Sequence, residues 1–212
     1  MTDQEIREYD GWHAWGINEV RRWRHIFEDV FNRTLPRIKD FGVAVDVGAN
    51  IGISSYFLAQ RFFYVYAFEP DPKNIECYTK NAELHGFKNK THLFPYACGE
   101  INERMGLGGK AGICRHYAPG DDISVVKLDD IFSHTKPKIG LLKVDAEGMD
   151  YLVLKGAKNL LVRDRPVVIF EFKDGDARHE RWNKTTDSEE FLRSLGAKFE
   201  WKNKVDQIWY FE

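Results

Sequence analysis

From Phe41 onward the chain alternates short β-branched, apolar runs with amphipathic segments, which is the pattern of β-α-β units on a parallel sheet. The spacing predicts strands at Val43–Val47, Tyr64–Phe68, Thr91–Ala97, Ile139–Val144 and Val167–Phe172. Between them it predicts helices at Ile51–Arg61, Pro72–His85, Asp150–Leu161 and Ser188–Leu195, with a terminal antiparallel pair at Lys198–Lys202 and Gln207–Phe211. The glycines scattered between Gly99 and Lys127 point to a hairpin or loop over one edge. Ahead of Phe41, Trp12, Trp15, Ile17, Val20, Trp23, Ile26, Phe27, Val30 and Phe31 fall three or four apart, so one or two N-terminal helices are expected before Pro36. With 212 residues and no linker-like stretch, the expectation is a single domain, with a helical cap over 1–40 and an α/β core over 41–212.

Several classes of protein are excluded by composition. No apolar run approaches the roughly 20 residues needed to cross a bilayer. The first residues carry Asp3, Glu5 and Glu8 rather than a basic segment with an apolar run behind it, so no secretory signal is expected. Cys77, Cys98 and Cys114 have neither zinc-knuckle spacing nor an even count, which fits reduced thiols in a cytoplasm. A net charge of −2 supplies no general positive field, so nucleic acid is not an expected partner. The cluster Arg21, Arg22, Arg24 and His25 reads first as a solvated helix face, and second as an anion site.

Three segments carry chemistry. In Val45-Asp46-Val47-Gly48-Ala49-Asn50-Ile51-Gly52 a strand runs into a glycine turn that opens a helix, at the end of the sheet where open α/β folds bind ligands. Gly48 allows close approach of a cofactor, Gly52 close helix packing, and the helix N-terminus favours an anionic group. Ala49-Asn50 replaces the second glycine of a dinucleotide fingerprint, which counts against a pyrophosphate. Glu69 ends the next strand 21 residues beyond Gly48, where an acidic side chain accepts from ribose hydroxyls. In Leu141-Leu142-Lys143-Val144-Asp145-Ala146-Glu147-Gly148 two carboxylates reach one strand mouth, an arrangement that a cation, a sulfonium or a metal would relieve. Glu171 reaches the end of its own strand.

Together with Tyr66-Ala67-Phe68-Glu69-Pro70, Val125–Asp130, Leu154–Ala157 and Arg165–Glu171, these segments resemble, in the same order, the FkbM family of S-adenosylmethionine-dependent methyltransferases. The resemblance implies a Rossmann-like class I methyltransferase fold: a mostly parallel seven-stranded sheet with an antiparallel last strand and helices on both faces. It implies O-methylation of a hydroxyl on a sugar, glycan or small natural product, with S-adenosyl-L-methionine as donor. It also implies that Asp46, Gly48, Ala49, Asn50 and Gly52 frame the methionine end of the cofactor, with Glu69 and Pro70 at the ribose and Ala97, beside Cys98, at the adenine. Asp145 and Glu147 would lie near the transferring methyl. Ala146, between those acids, is smaller than the family's usual aliphatic residue.

An acceptor hydroxyl must lose its proton. Glu147, with the longer reach, is the favoured base, and Asp145, Glu171 and His179 are the alternatives. Magnesium beside Asp145 stays open, with no fixed ligand set in the sequence. Two rival readings remain: an NAD-dependent oxidoreductase, which the glycine turn and Glu69 would also serve, and a non-catalytic cofactor-binding protein. The segment Asp174–Asp187, with Arg178, His179 and Arg181, matches no family pattern.

Overall fold

A computed structural model describes residues 5–15, 20–108, 116–134, 138–171 and 185–212. Near its start, Asp10 and Gly11 take φ of 50° and 78°. Positive φ at both central residues suits a two-residue hairpin turn, so Arg7–Tyr9 (β1) and Trp12–Ala14 (β2) pair antiparallel. Trp12 and Ala14 are buried while His13 between them is half exposed, a period of two that overturns the helical reading of this stretch. Among the described residues the first helix is Val20–Thr34 (α1), and Pro36 falls in the short 3-10 turn Leu35–Arg37 that ends it.

The core follows as Val43–Val47 (β3), Ile53–Arg61 (α2), Tyr64–Phe68 (β4), Pro72–Leu84 (α3) and Thr91–Phe94 (β5). Next come Ala97–Cys98 (β6), Glu103–Gly108 (β7), His116–Val126 (β8) and Leu128–Ile131 (α4). Ile139–Val144 (β9), Asp150–Gly156 (α5), Lys158–Asp164 (α6), Val167–Glu171 (β10), Thr185–Ser194 (α7), Lys198–Lys202 (β11) and Asp206–Tyr210 (β12) complete it. The strand expected over Thr91–Ala97 is split: Pro95 cannot donate to a ladder, so the chain leaves the sheet after Phe94. Ala97–Cys98 joins a separate three-stranded sheet in the order β6-β8-β7. The helix expected over Asp150–Leu161 is broken at Ala157, and Asp129 accepts from the N–H groups of Asn159 (3.0 Å) and Leu160 (2.9 Å), capping the second half separately.

The seven-stranded sheet runs β5-β4-β3-β9-β10-β12-β11, with β12 antiparallel to both neighbours and the strands β5 to β10 parallel. Every residue of β3, β9 and β10 is buried, because helices cover both faces. Val43, Val45 and Val47 join one apolar cluster with Leu154, Leu161 and Leu192. Ala44 belongs to the other, with Val30, Leu58 and Tyr78 from α1, α2 and α3. The strand order reverses between β3 and β9, and the crevice at their carboxyl ends is where such a sheet binds ligands.

Candidate active site

Gly48, just after β3, has φ 72°, and a Cβ there would lie 1.8 Å from the Asp145 carbonyl oxygen, so no larger residue fits. Its N–H and that of Ala49 both donate to the Phe68 carbonyl, at 2.9 and 3.0 Å, closing the turn onto β4. Gly52, at φ 94°, lets Tyr78 and Phe87 pack so close that a Cβ there would meet them at 3.0–3.1 Å, and so seats α2 against α3. At the end of β4, Glu69 is only 5% exposed. Its Oε2 accepts from Asn50 N–H (2.9 Å), and its Oε1 accepts from Asp71 N–H (2.9 Å) and the Asn74 amide (3.2 Å). Burial pushes this carboxyl up to about 7, against the pull of those donors.

The acidic end is built on β9. Asp46 and Lys143 are register partners on β3 and β9, and Lys143 Nζ lies 3.1 Å from Asp46 Oδ1 and 3.7 Å from Asp145 Oδ2. The same ammonium donates to the carbonyl of Gly48 at 3.1 Å, tying the glycine turn to the acids. Burial opposes the charge on Lys143, but the carboxylates of Asp46 and Asp145 outweigh it and its pKa is raised. Beyond Asp145 the chain turns through Glu147 at φ 49° and Gly148 at φ 98°. That turn is held by Asp150, whose carboxylate accepts from Ala146 N–H and Gly148 N–H, both at 3.1 Å. Burial, reinforced by Asp145, raises Asp150 to about 7. Glu171 closes the group from the end of β10: carboxylate oxygens of Asp145, Glu147 and Glu171 lie within 4.8 Å of one another. Three such oxygens can bracket a hard cation or accept from the hydroxyls of a ligand.

Both ends open into one cavity of about 340 Å³. Its walls include Gly48, Ala49, Asn50, Glu69 and Pro70 on the glycine-turn side and Asp145, Glu147 and Glu171 on the acidic side. Trp23, Ile26 and Phe27 of α1, Leu107 of β7 and Asp206 at the start of β12 complete it from outside the parallel core.

Residues 46–199 match the family pattern described as the methyltransferase FkbM domain. The chain belongs to the FkbM methyltransferase family. The chain is 26% identical over 172 residues to hexuronic acid methyltransferase AglP of Haloferax volcanii, an alignment covering 76% of this chain and 65% of that protein. Methyltransferase FkbM from Methylobacillus flagellatus KT superposes with a TM-score of 0.55 at 22% identity, over 82% of this chain and 44% of that one. Magnesium protoporphyrin IX methyltransferase of Synechocystis PCC 6803, solved with bound SAM, gives a TM-score of 0.54 at 13% identity, over 90% and 80% of the two chains. The chain thus spans about two thirds of AglP and less than half of the Methylobacillus protein.

Of the residues that the FkbM resemblance implicates, Gly48, Ala49, Asn50, Glu69, Pro70, Asp145, Glu147 and Glu171 line the cavity. Asp46, Gly52 and Ala97 do not. Asp46 is wholly buried beneath the turn, where Oδ2 accepts from Ser54 Oγ (2.6 Å) and Ser55 Oγ (2.7 Å) at the start of α2. Its charge anchors the turn from below. Ala97 sits buried in the smaller sheet. His179, and the segment from 172 to 184 around it, lie outside the described residues. Sequence reasoning missed Lys143, Asp150, Asn74 and the α1 wall. For Asp150 a signal was present: an acid in the first turn of a helix directly after a strand-end glycine.

Among the described residues no helix is long and apolar enough to cross a membrane.

Proposed function

We propose that this chain is an S-adenosylmethionine-dependent O-methyltransferase acting on a hydroxyl of a sugar, glycan or small natural product. One observation carries the reading: a single cavity joins the glycine turn and Glu69 to the carboxylates of Asp145, Glu147 and Glu171. The donor set suits such a cofactor. Glu69 Oε1 is filled by two protein donors, but Oε2 has one and keeps a lone pair for a ribose hydroxyl. The acids favour a positive sulfur, and the turn lacks the second glycine that a pyrophosphate requires. When bound, the cofactor supplies an electrophilic methyl group on a sulfonium. Glu147 would take the proton of the acceptor hydroxyl, and Asp145, held by Lys143, would face the donor side. The cavity walls align the partners, which supplies much of the acceleration in a displacement of this kind. Support for the donor comes from the SAM-bound Synechocystis neighbour, and support for a sugar acceptor from AglP.

S-adenosylmethionine and S-adenosylhomocysteine should raise the melting temperature and NADH should not, because a ligand that binds only the folded state stabilises it. Labelled methyl from S-adenosylmethionine should appear in a hydroxylated acceptor from a panel read by mass spectrometry. An equal shift with NADH would return the oxidoreductase reading.

A further inference from the structure

We propose that α1 forms a pyranose platform: Trp23, with Phe27 one turn further along the helix, takes the apolar C–H face of the acceptor's ring while the carboxylates of the same cavity take its hydroxyls. Trp23, Ile26 and Phe27 lie on the cavity wall, and all three precede the segment that carries the family pattern. Each is half buried. Trp23 and Phe27 pack against the apolar cluster beneath α1, and the Phe27 ring is 6.1 Å from those of both Phe31 and Phe57. Phe27 is therefore fixed by its neighbours, and Trp23 is seated on the same cluster. Leu107 of β7 extends the wall.

The acidic end of the cavity is the opposite in chemistry, with carboxylate oxygens of Asp145, Glu147 and Glu171 within 4.8 Å of one another, although Arg22 and Lys143 also line the cavity. A ligand that satisfies both must be apolar over one face and rich in O–H donors around its edge. A pyranose is built this way: its axial C–H bonds form an apolar face suited to an aromatic ring, and its equatorial hydroxyls are spaced for neighbouring carboxylates. A catechol would match the aromatic wall but offers only two donors on one side. An acyclic alcohol would match neither. This inference rests on the methyl-transfer reading, since it assumes that the hydroxyl is delivered to those carboxylates.

The test uses the full chain loaded with S-adenosylhomocysteine and four probes: methyl β-D-glucopyranoside, methyl β-D-galactopyranoside, methyl β-D-glucuronide and catechol. Saturation-transfer NMR should show at least one glycoside bound through the C–H protons of one ring face. Trp23→Ala should weaken that binding about 10-fold, as loss of an aromatic contact predicts, and Trp23→Phe should keep it within about 3-fold. Calorimetric affinity for S-adenosylhomocysteine should not move in either variant. Should Trp23→Ala lose that affinity, Trp23→Leu, which keeps bulk without an aromatic face, carries the comparison. The platform is overturned if no glycoside binds, if the aromatic-deleted variant binds it like wild type, or if only catechol binds. Methylation of the same panel separates the two readings. A glycoside held face-on yet never methylated leaves the platform standing and removes O-methyl transfer to that sugar, whereas a methylated catechol with no bound glycoside removes the platform and leaves O-methyl transfer to a hydroxyl standing.

Discussion

Glu147 takes its place in the cavity through a backbone conformation that costs energy. A non-glycine residue at φ 49° is uncommon, and it persists here because Asp150 accepts the N–H groups on either side of it. The sequence displayed the acids and the glycine of this turn but not its strain, because a left-handed φ at glutamate follows from tertiary hydrogen bonds and has no local propensity behind it. Gly48 was legible for the opposite reason: its left-handed φ and its contact with the Asp145 carbonyl are demands that only glycine meets. Asp46 was legible as important but not as buried beneath the turn, since no periodicity distinguishes an acid facing a cavity from one paired with a lysine in register on the next strand. As the proposed base, Glu147 gives a direct test. Glu147→Gln keeps the shape and removes the basicity, so turnover should fall by at least about 100-fold. Cofactor affinity, read by calorimetry, should change little; a parallel collapse of both would make Glu147 a binding residue.

At the scale of elements, the parallel strands were readable because strands buried on both faces appear as near-continuous apolar runs. The N-terminal hairpin was not, because its aromatics also satisfy helical spacing and only Asp10-Gly11 marks the turn. Its consequences reach the glycine-turn end of the cavity. Asn81 accepts from His13 N–H at 2.7 Å and donates to the carbonyls of His13 (2.9 Å) and Ile51 (2.8 Å), while the Trp15 indole N–H donates to Asn74 at 2.8 Å. Asn74 in turn donates to Glu69, so a chain of hydrogen bonds runs from the N-terminal segment to the proposed ribose acceptor. Trp15→Phe removes one link and leaves a buried amide oxygen without its indole donor. The expected cost is about 1–3 kcal/mol of stability, with cofactor affinity weakened about 3–10-fold as Asn74 loses its orientation. A lower melting temperature with unchanged cofactor affinity would confine the hairpin to packing.

For the molecule as a whole, the buried acids set a pH dependence that the linear sequence hides, since nothing local distinguishes Asp150 from an ordinary helix-start carboxylate. Burial raises both Glu69 and Asp150 to about 7 in the folded state, whereas in the unfolded chain such groups titrate near 4. Across the intervening range the folded protein binds protons that the unfolded chain has released. The stabilisation from each group is therefore complete below the unfolded value and is lost as pH rises through about 7. Asp150→Asn removes one titration while leaving an acceptor for one of the two turn N–H groups. The variant should be less stable than wild type at pH 5 because of the lost hydrogen bond. Between pH 5 and 7.5 the gap in melting temperature should then move against the wild type by about 5 °C, the size expected for roughly 2 kcal/mol in a chain of this length. Thermal melts of both proteins in matched buffers measure this. A gap that stays constant across that range would mean that Asp150 is ionised throughout, and that the turn carrying Glu147 is held by a charged acceptor at every working pH.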